Sequence, residues 1–147
     1  MRIWIDADGC PVRKIVLRIG HEFGIEVVQV ADRSHELKEG KVILVDTGTD
    51  SADFRIINLA QEGDLLITQD YGAAALALGK GIFAMDQNGK EYTDSNIDQL
   101  LFERALSRKI RRSGGKTGNM KKRSSADDGR FEEALRHWLL IHFNESK

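Results

Sequence analysis

A chain of 147 residues that is 41% hydrophobic and 31% charged has the composition of one globular domain, and no apolar run approaches the roughly 18 to 20 residues that cross a bilayer. Cys10 is the lone cysteine, which excludes an internal disulfide; with no basic segment leading into an apolar one near Met1, the expectation is a cytoplasmic protein with no membrane partner. The net charge of −1 hides an asymmetry: residues 1–103 hold 10 Lys and Arg against 18 Asp and Glu, whereas residues 104–147 hold 12 against 5. One part suits cations and the other suits anions.

Taken in order, β-rich apolar runs predict strands over residues 2–6, 26–31, 42–46, 64–68 and 81–85. After the first, Pro11 is placed for the opening turn of a helix through Val12, Ile15, Val16 and Ile19, with Gly24 at its exit. The polar stretch from Asp32 to Gly40 is a short connection. Residues 51–62 read as a helix with Ala52, Ile56, Leu59 and Ala60 on its apolar side, and residues 71–79 as a small alanine-rich helix able to lie close to a sheet. Asn88-Gly89 signals a turn, and Thr93 or Ser95 is the candidate cap of a longer helix through Ile97, Leu100, Leu101, Ala105 and Leu106. Residues 113–129, rich in Gly, Ser and Lys, read as a basic mobile loop before a last helix carrying Phe131, Ala134, Leu135, Trp138, Leu139 and Ile141. Alternation of strands and helices predicts a three-layer α/β sandwich with a mostly parallel central sheet, in a single domain spanning residues 1–147.

Three of the predicted strands run out into aspartate: Asp6 and Asp8, Asp46 and Asp50, and Asp70. In a parallel α/β sheet the carboxyl ends of strands meet at one crevice. Carboxylates gathered there repel one another unless a cation sits among them, and hard oxygen ligands suit Mg²⁺ or Mn²⁺. Asp6 and Asp8, two apart, point to one side if the extended conformation persists across Ala7. Each aspartate has a local alternative. Asp6 or Asp8 can cap the following helix, Asp70 can cap residues 71–79, and Asp50 with Asp53 has the spacing of a capping box. Thr68 is placed either to bond a ligand or to steady the strand exit, and Asp86 to build the turn before Asn88.

Between Arg104 and Arg123 the basic residues Arg104, Arg108, Lys109, Arg111, Arg112, Lys116, Lys121, Lys122 and Arg123 occur without one acid. Beside an acidic crevice this run suits a phosphate backbone, with Arg108, Arg111, Arg112, Lys116, Lys121, Lys122 and Arg123 as candidate contacts. With no aromatic within the run, contacts to phosphate rather than to bases are expected. The plain alternative is a solvated face and loop. Other chemistries are poorly served. Cys10 has no evident histidine partner and reads as a small buried side chain; His21, His35, His137 and His142 make no zinc pattern; and Gly114 to Gly118 lacks the spacing and preceding strand of a phosphate loop.

The segment Ile3-Trp4-Ile5-Asp6-Ala7-Asp8-Gly9-Cys10-Pro11-Val12 resembles the opening DADxCPV signature of the bacterial YaiI/YqxD-like family of uncharacterised proteins. Thr49 to Asp53, Gly63 to Asp70, Asn88 to Thr93 with Asn96-Ile97, and the Gly-rich Ser113 to Gly118 extend the likeness over essentially the whole chain. The resemblance implies a PIN-like fold, related to those of metal-dependent ribonucleases, with Asp6, Asp8, Asp53 and Asp70 in the acidic crevice and Thr68 close by. Asp50 is accessory. The second acid of nuclease relatives is commonly Glu, so the shorter Asp53 leaves room for a water. The implied activity is metal-dependent phosphodiester hydrolysis of RNA, Asp6 and Asp70 anchoring Mg²⁺ or Mn²⁺ and Asp8 and Asp53 orienting a second ion or the attacking water. The competing expectations are a nucleic-acid-binding or regulatory protein without turnover, and an α/β protein whose aspartates mainly cap helices.

Overall fold

A computed structural model describes residues 1–32, 40–45, 52–114 and 122–145, with backbone alone for residues 32, 52, 53, 144 and 145. Asp46, Asp50, Lys116, Lys121 and the side chain of Asp53 lie outside the described parts. The elements in order are β1 (Arg2–Asp6), α1 (Arg13–Phe23), β2 (Glu26–Asp32), β3 (Lys41–Val45), α2 (Ala52–Leu59), β4 (Leu65–Ile67), α3 (Tyr71–Lys80), β5 (Phe83–Met85), β6 (Glu91–Tyr92), α4 (Asp94–Arg112) and α5 (Ser125–Glu145).

The strands form one sheet in the order β3-β2-β1-β4-β5-β6, parallel throughout except that β6 runs antiparallel to β5. Alternation along β1 explains the layering. Ile3 and Ile5 turn to one face, against Val16 and Ile19 of α1 and Phe131, Leu135, Trp138 and Leu139 of α5. Trp4 turns to the other, where Ile56 of α2, the fully buried Ala73, Ala74 and Ala77 of α3, and Ile97 of α4 close the second core. The expected three-layer α/β sandwich with a mostly parallel sheet is therefore met. Both faces of the central strands are covered, so β4 reads Leu-Leu-Ile with every residue buried rather than alternating.

Close approach of elements explains two glycines. A Cβ on Gly20 would lie 2.3 Å from Val27 Cγ2, so glycine lets α1 settle onto β2. Gly89 has φ +85°, and a Cβ there would lie 2.4 Å from Ala134 Cβ, so the turn after β5 packs against α5 only as glycine.

Several boundaries differ from expectation. Pro11 precedes α1 rather than lying in its first turn, since Val12 is the N-cap. The Asn88-Gly89 turn joins β5 to β6, a two-residue strand too short to carry a periodicity. Thr93 is the cap of α4, accepting the Asn96 amide at 3.2 Å, and the helix continues past Leu106 to Arg112 because Arg, Lys and Ser extend it without needing a core. Of the loop expected over residues 113–129, residues 115–121 lie outside the described parts, and residues 125–129 belong to α5, which starts at Ser125. There Ser124 N–H donates to Asp127 Oδ2 at 2.9 Å, a capping arrangement at the helix start.

A candidate anionic cleft at the strand ends

Strand order reverses at β1: β2 and β3 extend to one side of it and β4, β5 and β6 to the other. Ligands of open α/β sheets bind at the carboxyl edge of such a switch point. Here that edge holds a cleft of about 430 Å³ lined by Asp6, Asp8, Gly9, Cys10, Ile67, Thr68, Gln69, Asp70 and Gln87.

Register brings the first groups together. Ile5 pairs with Ile67, so one residue further Asp6 stands beside Thr68. Thr68 Oγ1 donates to Asp6 Oδ2 at 3.2 Å and accepts the Asp70 N–H at 3.1 Å. Thr68 is itself fixed by its own N–H to Met85 O at 3.1 Å and by Tyr92 OH, which donates to Thr68 O at 3.1 Å. Burial raises the Tyr92 phenol far above its usual value, with the charge of Asp86 adding to the shift, so it stays protonated as that donor. Asp8 is exposed beyond Asp6, on a chain that turns at Gly9 with φ +70°, and Gln69 Nε2 reaches across to Gly9 O at 3.1 Å.

Asp70 has two local duties. It is the N-cap of α3, its Oδ1 accepting Gly72 N–H at 2.8 Å and Ala73 N–H at 3.4 Å, and the same oxygen meets Arg104 Nη1 of α4 at 3.2 Å. The capping alternative for Asp70 thus holds alongside its place in the cleft. For α1 it does not: the N-cap position is Val12, which makes no side-chain cap bond. Asp86 builds the turn as expected, accepting Asn88 N–H at 2.8 Å and Lys90 N–H at 2.9 Å.

The structure thus brings Asp6, Asp8, Asp70 and Thr68 into one cleft. Among the described residues no three His, Cys, Asp or Glu side chains converge to hold a metal ion. Cys10 lies in the cleft wall with its thiol pushed above 9.0, first by burial and further by the charge of Asp6, against a lowering contribution from the Val12 backbone. It is a poor nucleophile there, which agrees with a packing role.

The basic candidates divide. Arg108, Arg111 and Arg112 are exposed along α4, and Lys122 is exposed ahead of α5. Arg123 is occupied: Nε meets Asp128 Oδ1 at 2.7 Å, Nη2 donates to Gln87 O at 2.8 Å, and Nη1 to Asn88 Oδ1 at 3.1 Å. Its sequence neighbourhood suggested a phosphate contact; its geometry is that of a clamp between α5 and the turn after β5.

One cleft residue and one neighbour of the cleft escape the sequence reading. Gln87 follows a strand end, the one signal for it, but carries no charge to mark it; its Oε1 is buried with no hydrogen-bond partner among the described residues. Arg104 belongs to the basic run, and only the packing of α4 beside α3 reveals its contact with Asp70. Another carboxylate, Asp64, is buried before β4, toward the opposite edge of the sheet. It accepts Arg2 N–H at 2.9 Å, Trp4 Nε1–H at 3.0 Å and Gln61 N–H at 2.9 Å, a purely structural set of partners.

The sequence model of a family described as uncharacterized BCR, YaiI/YqxD family, matches residues 4–140. Relatives called UPF0178 proteins include one from Ruminiclostridium cellulolyticum, 52% identical over 92% of this chain and 90% of its own. Those from Alkaliphilus oremlandii and Clostridium acetobutylicum are 48% and 45% identical, each over 95% of this chain and over 91% and 97% of their own lengths. Among solved structures, Rae1 (YacP) from Bacillus subtilis aligns with a TM-score of 0.46 at 18% identity, covering 76% of this chain and 80% of that one. No described helix is long and apolar enough to cross a membrane.

Proposed function

This chain belongs to the YaiI/YqxD family, and from that premise we propose that it is a metal-dependent phosphodiesterase acting on RNA. The observation that carries the reading is the cleft itself: Asp6, Asp8 and Asp70 at the carboxyl ends of β1 and β4, with the arginine-bearing side of α4 reaching Asp70 through Arg104.

The donors suit a hard cation in kind, being carboxylate and hydroxyl oxygens with a buried amide oxygen of Gln87, without a partner among the described residues, in the same wall. Mg²⁺ keeps several waters and is commonly held by one or two carboxylates together with substrate phosphates, so a closed cage of three side chains is not required. Asp6 and Asp70 would hold it, with Asp8 and Asp53 completing the set. A divalent ion supplies a more acidic water and neutralises charge on the phosphoryl oxygens. The chain's own residues do the rest. Thr68 steadies the Asp6 carboxylate, and Arg108, Arg111 and Arg112 attract and align the phosphate backbone with weak sequence preference.

A second reading, nucleic-acid binding without turnover, is favoured by the engagement of Asp70 Oδ1 with two amides and an arginine. One experiment separates the two. Labelled single-stranded RNA incubated with Mn²⁺ should be shortened by the purified protein, and chelation or Asp6→Asn should slow this by about 100-fold or more, the scale on which metal-dependent catalysis is lost. RNA that binds and stays intact at saturating Mn²⁺ would establish the non-catalytic reading instead.

A further inference from the structure

Asp70 is met by a cation belonging to the chain itself. Arg104 Nη1 touches Asp70 Oδ1 at 3.2 Å, through one nitrogen and one oxygen, and that oxygen already accepts two amides of α3. The helix cap therefore stands without Arg104. Both side chains remain open to solvent, at 33% and 45%, so the pair is screened and adds little net stability. A guanidinium that makes one contact to a carboxylate has a better partner in phosphate, which its planar fork engages with two parallel hydrogen bonds. Arg108 and Arg111 follow at i+4 and i+7 on the same side of α4, both exposed, with no acid between Arg104 and Arg112.

We propose that Arg104 exchanges partners: in the substrate-free protein it screens Asp70, and when a phosphodiester enters the cleft it moves to the phosphate, leaving the Asp70 carboxylate for the cation. The inference rests on the nucleic-acid reading of the cleft and adds to it a route by which the substrate and the cation admit one another. The exchange balances charge, since each anion ends beside a cation. Arg108 and Arg111 continue the line of guanidinium groups that the backbone follows away from the cleft.

The test uses Mn²⁺ alone and a single-stranded RNA oligonucleotide alone, the latter in chelator across a salt series, so that no cleavage is needed. Arg104→Gln should tighten Mn²⁺ binding by about 2- to 5-fold, the equivalent of one screened ion pair removed. The same change should weaken RNA binding and reduce the slope of log affinity against log salt by about 0.7, one phosphate contact on a single strand. Arg104→Lys should restore the slope, because the slope counts charges. Asp70→Asn, which frees Arg104, should bind RNA more tightly without metal. Arg104→Gln with unchanged or weaker Mn²⁺ binding, or with an unchanged salt slope, overturns the exchange. A wild-type protein that binds neither probe would instead sink the phosphodiesterase reading and the exchange with it.

Discussion

The hydroxyl of Thr68 is bonded to the carboxylate of Asp6 at 3.2 Å, and because the same oxygen receives the Asp70 amide, one side chain ties the ends of β1 and β4 together. Thr68 is 3% exposed, so water cannot readily replace either contact. Thr68→Val keeps the shape, removes the donor and leaves the Asp70 amide without its acceptor. It should cost about 1 to 3 kcal/mol, the penalty for a hydrogen bond to a charged group with one partner deleted. Urea unfolding with an unchanged m-value would register the loss as stability rather than compaction. A variant as stable as the parent would show that the hydroxyl does not join the strands.

Asp70 acts as a cap and as a cleft carboxylate, and the two roles respond differently to substitution. Asn caps a helix about as well as Asp, so Asp70→Asn should leave apo stability within about 0.5 kcal/mol while Asp70→Ala loses about 1 kcal/mol. Both should weaken Mn²⁺ binding to a similar degree, because both remove the charge. Calorimetric Mn²⁺ titrations paired with apo melting curves check this. Undiminished metal affinity in both, with only the alanine variant melting lower, would leave Asp70 as a cap alone.

The sequence displays these carboxylates because a parallel sheet sends strand ends to one edge, and Asp6, Asp8 and Asp70 each follow an apolar run that reads as a strand. Local pattern could not reveal which basic residues are committed. Arg104 and Arg123 lie in one acid-free run, yet one meets Asp70 and the other is held by Asp128, Gln87 and Asn88, partners decided by how α4 and α5 pack. Asp64 stands at the head of the strand predicted over residues 64–68, and its role appears only when Arg2 and Trp4 are brought against it by the pairing of β1 with β4. The start of α5 carries a local signature in Ser124 and Asp127, a capping pair, which a reading of residues 113–129 by their Gly, Ser and Lys content does not use.

That division of the arginines gives opposite expectations. Arg123→Gln breaks a clamp whose arginine side chain is 19% exposed and should lower stability by about 1 to 3 kcal/mol, with little change in the salt dependence of RNA binding. The double substitution Arg108→Gln and Arg111→Gln should leave the melting temperature nearly unchanged and reduce the salt slope by about 1.4, two contacts on a single strand. Thermal melts and a salt series of RNA affinities test both. A slope lowered as much by Arg123→Gln as by the double variant would return Arg123 to the phosphate-binding face.

Acid sensitivity should arise where α1 meets α5. Arg18 and Glu22 alternate there with Glu132 and Arg136: Arg18 Nη2 lies 2.5 Å from Glu132 Oε1, Arg136 Nη1 2.8 Å from Glu22 Oε2, and Arg136 Nε 3.1 Å from Glu132 Oε2. The Arg136 hydrogen bond holds Glu22 below the ordinary 4.5, and Arg18 followed by Arg136 does the same for Glu132. With the folded-state values depressed, the unfolded chain takes up protons first as pH falls. The clamp's contribution is therefore complete above about 4.5 and drains away through the depressed values below it. Arg18 and Glu22 are exposed and Glu132 and Arg136 are partly so, which makes the contribution small and weakened by salt. Arg136→Gln should melt below the parent near neutral pH and converge on it toward about pH 3, the gap narrowing also in about 1 M salt. Melting curves over that range decide the matter, and a gap that stays constant with pH would mean that Arg136 acts through packing of its stem rather than through its charge.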